Sequence, residues 1–368
     1  MNLVPSSPDT LLPFDRSLFT PGLRVAVALS GGADSTALLR VLHATNTLPR
    51  DALGLGLSAI HIHHGIRGKA ADRDQQAVEQ ICAGLGIPLR VQAVDTPAYA
   101  AKSHETLEEA ARSLRYAAFT ELIANGEADA ITTAHTADDQ AETVLMKLLR
   151  GAWTEGLAGI FPVVEVKAPN GRAGRILRPL LGTDRVAVEQ YLHTLDQGWV
   201  NDETNSDPAF TRNRVRHQLM PALREFNPSL NTTLGNLAEL ARDEESFWGR
   251  ELDRLLPQAV LPGKPVRGGG RANSTAPDAA TFAIDLERLK ASPMALRRRL
   301  IRATARQLGV QLSFAETARL LALAGLGVPI PTVPSKPGGS LILSDGLRAD
   351  RSVRELRLSR SPTNSNTP

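Results

Sequence analysis

Short apolar runs of strand length alternate with amphipathic helical stretches through the first half of the chain. The runs that predict β-strands cover residues 23–29, 55–62, 89–94 and 128–133. Between them, apolar residues recur at helical spacing and predict α-helices over residues 34–44, 71–85 and 105–124. Because this alternation is typical of right-handed βαβ units, we expect an α/β fold with a doubly wound parallel sheet and helices on both faces.

The pattern changes in the second half of the chain. Two short apolar runs, 160–166 and 175–177, flank the turn pair Asn170-Gly171 and predict a β-hairpin. Helix-like spacing of leucines then predicts a mainly helical domain, and a stretch rich in Gly, Pro, Ser and Ala at 257–281 predicts a flexible insertion in it. Residues 340–358 predict two short strands. We therefore expect domains at 1–216 and 217–328, a small C-terminal β segment at 329–360, and a disordered tail at 361–368.

The composition is that of a globular protein with two or three domains, since 42% of the 368 residues are hydrophobic and 22% are charged. No apolar run approaches the roughly 20 residues that cross a membrane, and residues 1–20 lack the features of a signal peptide. We therefore expect a cytoplasmic protein without a membrane partner. The lone cysteine, Cys82, excludes internal disulfides and cysteine-based metal or redox sites, and its apolar neighbours predict that it packs on a buried helix face.

A small, glycine-rich turn separates the first predicted strand from the first predicted helix. Its residues are Ser30, Gly31, Gly32, Ala33, Asp34 and Ser35. Glycine N–H groups, serine hydroxyls and the positive end of the following helix together predict a phosphate-binding loop. No Walker A lysine accompanies this loop, so Asp34 would repel phosphates unless Mg²⁺ bridges the two. The competing interpretation is an ordinary turn in which Asp34 caps the helix.

Two further carboxylates follow the fourth predicted strand, at the sheet edge where ligands bind in such folds. Asp139 and Glu142 are three residues apart, so both lie on one face of the helix that begins there. Together with Asp34 they predict an oxygen-rich Mg²⁺ site or a site for a cationic substrate. The competing interpretation is a capping box between Thr136 and Asp139.

Basic residues recur near the same edge. Arg67 follows the second strand and is a candidate anion contact, whereas zinc binding by His61, His63 and His64 is disfavoured because no cysteine or carboxylate completes the set. Arg112 and Arg115 lie on one helix side, where a solvated face paired with Glu109 is the alternative. A dense cluster suits nucleic-acid phosphates or a charged helix start. This cluster consists of Arg212, Arg214 and Arg216.

These segments together resemble one family. SGGADS, HIHHGIRG, EEAARSLRY, AHTADDQAETVLMKLLRG, ILRPLL and DETNSDPAFTRNRVR occur in the order and approximate spacing of the bacterial tRNA(Ile)-lysidine synthases. The resemblance covers about residues 22–220. The first segment alone marks only the PP-loop ATP pyrophosphatases, and the others distinguish the family within them. Beyond residue 228 no motif matches, and the C-terminal piece is short beside that of longer members.

The resemblance implies a two-step reaction with ATP and Mg²⁺. ATP adenylates the C2 oxygen of the wobble cytidine in the CAU anticodon of tRNA(Ile), and free L-lysine then displaces AMP. It further implies that residues 30–35 hold the pyrophosphate, that Asp34 and Asp139 position Mg²⁺, and that Glu142 orients or deprotonates the lysine amine. The resemblance makes 1–216 the catalytic domain and 217–328 a tRNA-binding domain. Contacts to tRNA or phosphate are expected from Arg67, Arg112, Arg115, Arg212, Arg214 and Arg216.

Other functions stay open beside this one. A PP-loop tRNA thiolase would need more cysteines than Cys82, and an amidotransferase-linked synthetase would need an ammonia source. A non-catalytic tRNA-binding protein with a relic nucleotide loop is the third alternative, although acids at a polyanion site without a metal are unfavourable. A homodimer is one alternative for the assembly.

Overall fold

The computed structural model of the protein describes residues 11–66, 68–200, 211–262 and 281–360. The chain forms two compact units, residues 1–242 and 243–368. The expected finer division at residues 216 and 328 stays a prediction. None of the helices within the described ranges is long and apolar enough to cross a membrane.

A six-stranded sheet forms the centre of the first unit. Its strands are β1 (Arg24–Ala28), β2 (Gly56–His63), β3 (Leu89–Ala93), β4 (Ala130–Thr132), β5 (Val163–Lys167) and β6 (Ala173–Leu177). They lie in the order β3-β2-β1-β4-β6-β5, and all neighbouring pairs are parallel except β5 with β6. The parallel sheet and the hairpin predicted from the sequence are therefore confirmed.

Helices follow the strands of this unit, at the predicted positions and with three additions. They are α1 (Ala33–Asn46), α2 (Lys69–Leu85), α3 (Thr96–Ser103), α4 (Leu107–Ala124), α5 (Ala137–Leu149), α6 (Thr154–Leu157), α7 (Arg185–Thr194), α8 (Thr211–Arg214) and α9 (Met220–Phe226). The last helix, α10 (Leu230–Ala259), begins in this unit and ends in the second. A π-helical turn, Val215–Leu219, joins α8 to α9. The helices α3, α6 and α7 were not predicted. Asp95 and Thr106 cap α3 and α4 separately.

Successive side chains of β1 point to opposite faces of the sheet, so the core of this unit has two layers. Val25 and Val27 pack with α1, α2 and α7 on one face, whereas Ala26 packs with α4 on the other. Cys82 of α2 lies in the first layer, where burial raises the pKa of its thiol to about 11. Its predicted packing role is confirmed.

The second unit contains an antiparallel sheet and three further helices. The strands are β7 (Val260–Pro262), β8 (Thr281–Asp285), β9 (Ser340–Ile342), β10 (Leu347–Arg351) and β11 (Glu355–Arg360), and the helices are α11 (Leu286–Ala291), α12 (Met294–Gln307) and α13 (Phe314–Leu323). The sheet order is β7-β8-β11-β10-β9. Leucines of α12 and α13 pack with β10 and β11 in one core.

Two expectations for this region need correction. The C-terminal piece contains three strands instead of two, because β10 pairs with β9 on one side and with β11 on the other. The expected insertion at 257–281 begins inside α10 and includes β7, since pairing with β8 orders its first residues. Residues 263–280 and the expected tail at 361–368 lie outside the described residues.

Candidate active site at the carboxyl end of the parallel sheet

The loop between β1 and α1 requires glycine at residue 31. Gly31 has φ +88°, and a Cβ there would lie 3.3 Å from Val200 Cγ2 and 3.4 Å from Val78 Cγ2. Val200 N–H also donates to the Gly31 carbonyl at 2.9 Å. The backbone turn is therefore fixed from outside the loop by a segment far away in sequence.

The two serines of the loop hold it closed. Ser30 N–H donates to Ser35 Oγ at 3.2 Å, and Ser35 Oγ lies 3.1 Å from both Ser30 Oγ and the Gly32 carbonyl oxygen. Because Gly32 has no side chain to cap α1, the first-turn N–H groups of this helix point into the loop without a side-chain cap. Such a helix start is suited to bind an anion.

Asp34 lies in this first turn with one oxygen paired and one unpaired. Its Oδ2 accepts a hydrogen bond from Arg185 Nη2 at 3.0 Å, whereas its buried Oδ1 has no partner within the described part of the chain. Burial raises the pKa of Asp34 to about 6, against the lowering effect of Arg185 and together with the repulsion from Asp139. A buried, unsatisfied carboxylate oxygen is the ligand type that Mg²⁺ prefers.

The start of α5 satisfies the capping box that the sequence offered as the alternative interpretation. Thr136 N–H donates to Asp139 Oδ2 at 3.0 Å, and Asp139 N–H donates to Thr136 Oγ1 at 3.4 Å. The cap uses only one carboxylate oxygen of Asp139. The other oxygen, Oδ1, is left for two arginines, so the capping role and a site role coexist in this residue.

Two acids of α5 and two arginines form what we name the carboxylate–arginine cluster: Asp139, Glu142, Arg212 and Arg216. Asp139 Oδ1 accepts from Arg212 Nη2 at 2.8 Å and from Arg216 Nη2 at 3.1 Å. Glu142 accepts from Arg212 Nε at 3.0 Å, and from Arg216 Nε at 2.6 Å and Nη2 at 2.9 Å. The Glu142 side chain is only 3% exposed, so these bonds satisfy a buried charge.

The charges of the cluster stabilise one another. Burial alone would raise the pKa of Asp139 and lower that of Arg216. The nearby guanidiniums and the Thr136 N–H instead hold the pKa of Asp139 below its usual value, and Glu142 holds the pKa of Arg216 above its usual value. Asp139 and Arg216 are therefore ionised at neutral pH.

A second group of residues lies where β4 and β6 end. It consists of His135, Arg178, and Tyr116 and Arg112 of α4. Burial lowers the pKa of His135 to about 4, so its ring is neutral. Arg178, 5% exposed, donates to the Phe161 carbonyl oxygen and to Tyr116 Oη at 3.2 Å. The guanidinium of Arg112 lies 5.0 Å from the centroid of the Tyr116 ring.

Among the residues that the structure describes, the remaining ones predicted from the sequence as anion or metal contacts do not pair with Asp34, Asp139 or Glu142. Arg115 and Arg214 are exposed, and Arg67 lies outside the described residues. His61 Nδ1 lies 2.8 Å from the Leu29 carbonyl oxygen, while His63 pairs with Asp72 and His64 with Thr96. Within the described ranges no group of three or more His, Cys, Asp or Glu side chains is arranged to hold a metal ion. A divalent cation at Asp34 would therefore need oxygens from a ligand or water as well.

Three residues of the site were missed in the sequence. Arg185 pairs with Asp34, and its backbone N–H donates to Asp138 Oδ2 at 2.8 Å. Asp138 Oδ1 accepts from Arg224 Nη2 at 2.7 Å. Asp138 lies inside the AHTADDQAET segment and Arg185 four residues after ILRPLL, so both were adjacent to recognised motifs. None of the recognised motifs contains or adjoins Arg224.

Comparison with known sequences gives three findings. Residues 14–223 match the family model described as the PP-loop domain. The chain is 38% identical over 286 residues to the tRNA(Ile)-lysidine synthase of Solibacter usitatus (strain Ellin6076), covering 77% of this chain and 57% of that protein. It is also 38% identical to the tRNA(Ile)-lysidine synthase of Nitratidesulfovibrio vulgaris (strain Hildenborough), covering 81% of this chain and 82% of that protein.

A solved structure supports the fold alone. The U34-tRNA thiolase NcsA from Methanococcus maripaludis, with its 4Fe-4S cluster, superposes with a TM-score of 0.50 at 20% sequence identity. The match covers 62% of this chain and 75% of the thiolase. The chain is therefore more similar in sequence to the two synthases, at 38% identity, than to the thiolase, at 20% identity.

Proposed function

The chain belongs to the tRNA(Ile)-lysidine synthase family of PP-loop proteins, and we propose that it attaches free L-lysine to C2 of the wobble cytidine in the CAU anticodon of tRNA(Ile). The chain spans 57% of the length of its Solibacter relative. In the first half-reaction the C2 oxygen of cytosine attacks the α-phosphorus of ATP and pyrophosphate leaves. In the second, the ε-amino nitrogen of lysine attacks C2, and AMP leaves with the former C2 oxygen.

The loop at 30–35 supports the first half-reaction. Its backbone turn, its serine hydroxyls and the uncapped start of α1 provide donors for the β- and γ-phosphates of ATP. The buried, unpartnered Oδ1 of Asp34 suits Mg²⁺, which we assign to Asp34 and Asp139. When bound, Mg²⁺ would neutralise charge on the phosphates and the departing pyrophosphate.

The observation that carries the lysine assignment is the buried Glu142, which lies one helical turn from Asp139 on α5 and forms ion pairs with two arginines. A lysine side chain arrives as an ammonium ion, which binds to carboxylates and must lose a proton before its nitrogen can attack. Glu142 would accept that proton. Arg212 is 37% exposed and more accessible than Arg216, so Arg212 is the partner that would release Glu142 to the amine.

The exposed arginines support binding of a tRNA. Arg112, Arg115 and Arg214 have guanidiniums available for phosphates, and Arg67 stays a predicted contact. An anticodon loop is single-stranded, so its wobble base can be unstacked at low cost and turned toward the site. We place the reaction in the cytoplasm with tRNA(Ile) and lysine as partners.

The thiolase alternative is disfavoured by the chemistry of sulfur. The whole sequence contains one cysteine, Cys82, which is packed in the core with a raised thiol pKa. Cysteine thiolates hold 4Fe-4S clusters, usually four of them, and persulfide carriers need an accessible thiolate.

One assay tests the proposal directly. The protein is incubated with ATP, Mg²⁺, labelled lysine and an unmodified tRNA(Ile) transcript, beside a tRNA(Met) transcript with the same anticodon. We expect label in the isoleucine tRNA together with release of AMP and pyrophosphate. Binding of the tRNA without transfer of lysine would favour the non-catalytic alternative. Incorporation of sulfur in a parallel reaction supplied with labelled sulfide would favour the thiolase.

A further inference from the structure

The phosphate-binding loop lacks a cation of its own. Residues 30–35 contain no lysine or arginine, although they are expected to face the negatively charged phosphates. The structure brings Arg185 to this loop from the start of α7, 151 residues after Asp34. Arg185 is therefore the guanidinium that lies directly against the acid of the loop.

The backbone at Arg185 is fixed to the sheet edge by several hydrogen bonds. Its N–H donates to Asp138 Oδ2, and the Ala137 N–H donates to the Thr183 carbonyl oxygen at 2.9 Å. Asp184 caps α7 by accepting from the Ala187 N–H at 2.8 Å. A guanidinium on such an anchored backbone reaches the loop with little loss of backbone freedom on binding.

The Arg185–Asp34 pair is poorly explained by a structural role. The Arg185 side chain is 35% exposed and that of Asp34 is 19% exposed, so the guanidinium is partly solvated and the pair contributes only modestly to stability. The pair also leaves Asp34 Oδ1 buried without a partner. A guanidinium optimised to neutralise Asp34 would engage both oxygens in the forked arrangement that arginine forms with carboxylates.

We propose that Arg185 is the phosphate-binding cation of this site: it rests on Asp34 when no nucleotide is bound and moves to the β- and γ-phosphates when ATP enters. The inference rests on the proposed function for the identity of the nucleotide. A planar guanidinium binds two phosphate oxygens at once, and its positive charge stabilises the pyrophosphate as it leaves. Asp34 is then free to bind a divalent cation through both of its oxygens.

The exchange predicts opposite effects of one substitution on two ligands. Arg185→Ala should weaken binding of inorganic pyrophosphate in saturating Mg²⁺ by ~10- to 100-fold, because a charge-assisted contact is lost. The same variant should bind Mn²⁺ more tightly, by ~3- to 10-fold, when no nucleotide or pyrophosphate is present, because a competing positive charge has left Asp34. A merely structural role of Arg185 would not produce two effects of opposite sign.

Calorimetry with pyrophosphate and spin-resonance titration with Mn²⁺ measure the two effects on the full chain. Arg185→Lys keeps the charge and should recover most of the pyrophosphate affinity. Arg90→Ala is the matched control, because Arg90 is 32% exposed, pairs with Glu121 and Glu127, and lies near the start of β3, at the opposite end of the parallel sheet from the loop. We expect this control to bind both ligands within about twofold of the wild type, as substitutions at sites that do not contact the ligand usually do.

Three results would overturn the inference: unchanged pyrophosphate affinity in Arg185→Ala, unchanged or weaker Mn²⁺ binding in that variant, or equal losses in Arg185→Ala and Arg90→Ala. Neither titration uses tRNA or lysine. Failure to form lysidine by the wild type would therefore contradict the proposed function and leave the role of Arg185 standing, whereas wild-type pyrophosphate binding by Arg185→Ala would contradict only the role of Arg185.

Discussion

Arg216 donates two hydrogen bonds to Glu142, from Nε to Oε1 at 2.6 Å and from Nη2 to Oε2 at 2.9 Å. The side chains are 17% and 3% exposed, so this is a buried, bidentate ion pair. Removing one partner of such a pair leaves the other charge buried without compensation. The position of the proposed lysine-binding carboxylate therefore depends on an arginine 74 residues away in sequence.

Arg216→Ala should lower the free energy of unfolding by about 3–5 kcal/mol, because Glu142 loses its least exposed partner. Arg212→Ala should cost less, about 1–2 kcal/mol, since Arg212 is 37% exposed and Arg216 continues to pair with Glu142. Urea unfolding of both variants measures the difference. Equal losses would show that the two arginines share the carboxylate equally.

Glu142→Gln should separate the two half-reactions. An amide cannot accept the proton of the lysine ammonium, so we expect lysine transfer to fall by ~100-fold or more, with a smaller effect on pyrophosphate release. Asp139→Asn should impair both steps, because Asp139 is assigned to Mg²⁺. Pyrophosphate release and incorporation of labelled lysine are measured in parallel. The same ratio of losses in the two variants would contradict this division of roles.

Asp34→Asn should lower adenylation by at least ~100-fold and at the same time stabilise the fold. The pKa of Asp34 is raised to about 6 in the folded protein from 3.8, so its contribution to stability is fully present below pH 3.8 and is lost as the pH rises through 6. The neutral amide avoids this loss. We expect a gain of about 1–3 kcal/mol at pH 7 that shrinks toward pH 4. Urea unfolding at the two pH values tests it, and a gain independent of pH would contradict burial of the Asp34 charge as its cause.

Alanine substitutions of the exposed arginines Arg112, Arg115 and Arg214 should each reduce the salt dependence of tRNA binding by roughly one unit of slope. Their affinity for ATP should not change. Arg24→Ala serves as the control, because Arg24 begins β1 at the opposite end of the sheet and pairs with Asp129. Filter binding over a salt series gives the slopes. A slope that falls as much in the control would assign the effect to net charge alone.

Glu316→Gln should destabilise the second unit by about 1–2 kcal/mol at neutral pH. Glu316 accepts hydrogen bonds from Ser313 N–H at 2.9 Å and Ser344 N–H at 3.1 Å, and thereby ties the start of α13 to the turn after β9. Burial acts to raise its pKa, but the serine donors outweigh burial and lower it to about 2. The stability that this pKa shift confers is present above about pH 4.5 and is lost as the pH falls toward 2.

Calorimetric unfolding of Glu316→Gln beside Glu287→Gln tests the link. Glu287 is an exposed acid on α11 of the same unit, so its substitution should be nearly neutral. A deficit of Glu316→Gln that persists undiminished at low pH would contradict the assigned pKa shift.

Local patterns predicted the elements that depend on local physics. The strands of the first half and the helices α1, α2 and α4 follow from the period of apolar residues, and the Asn170-Gly171 turn marks the hairpin of β5 and β6. The third C-terminal strand and the order at the start of the 257–281 segment were not predicted. The start of that segment is ordered by pairing of β7 with β8, and the third strand arises because β10 has a partner on each side. The choice of pairing partners leaves no periodic trace in the sequence.

The candidate site divides in the same way. By itself the sequence determined the family, the glycine-rich loop and the acids Asp34, Asp139 and Glu142. Each of these lies in a short contiguous motif whose chemistry or family resemblance can be recognised without a structure. Only the tertiary structure decided which arginine meets which acid: Arg185 on Asp34, and Arg212 and Arg216 on Asp139 and Glu142. Ion pairs act through space over a few ångströms, and the sequence contains the charges but not those distances, which arise only when the sheet and its connections bring the residues together.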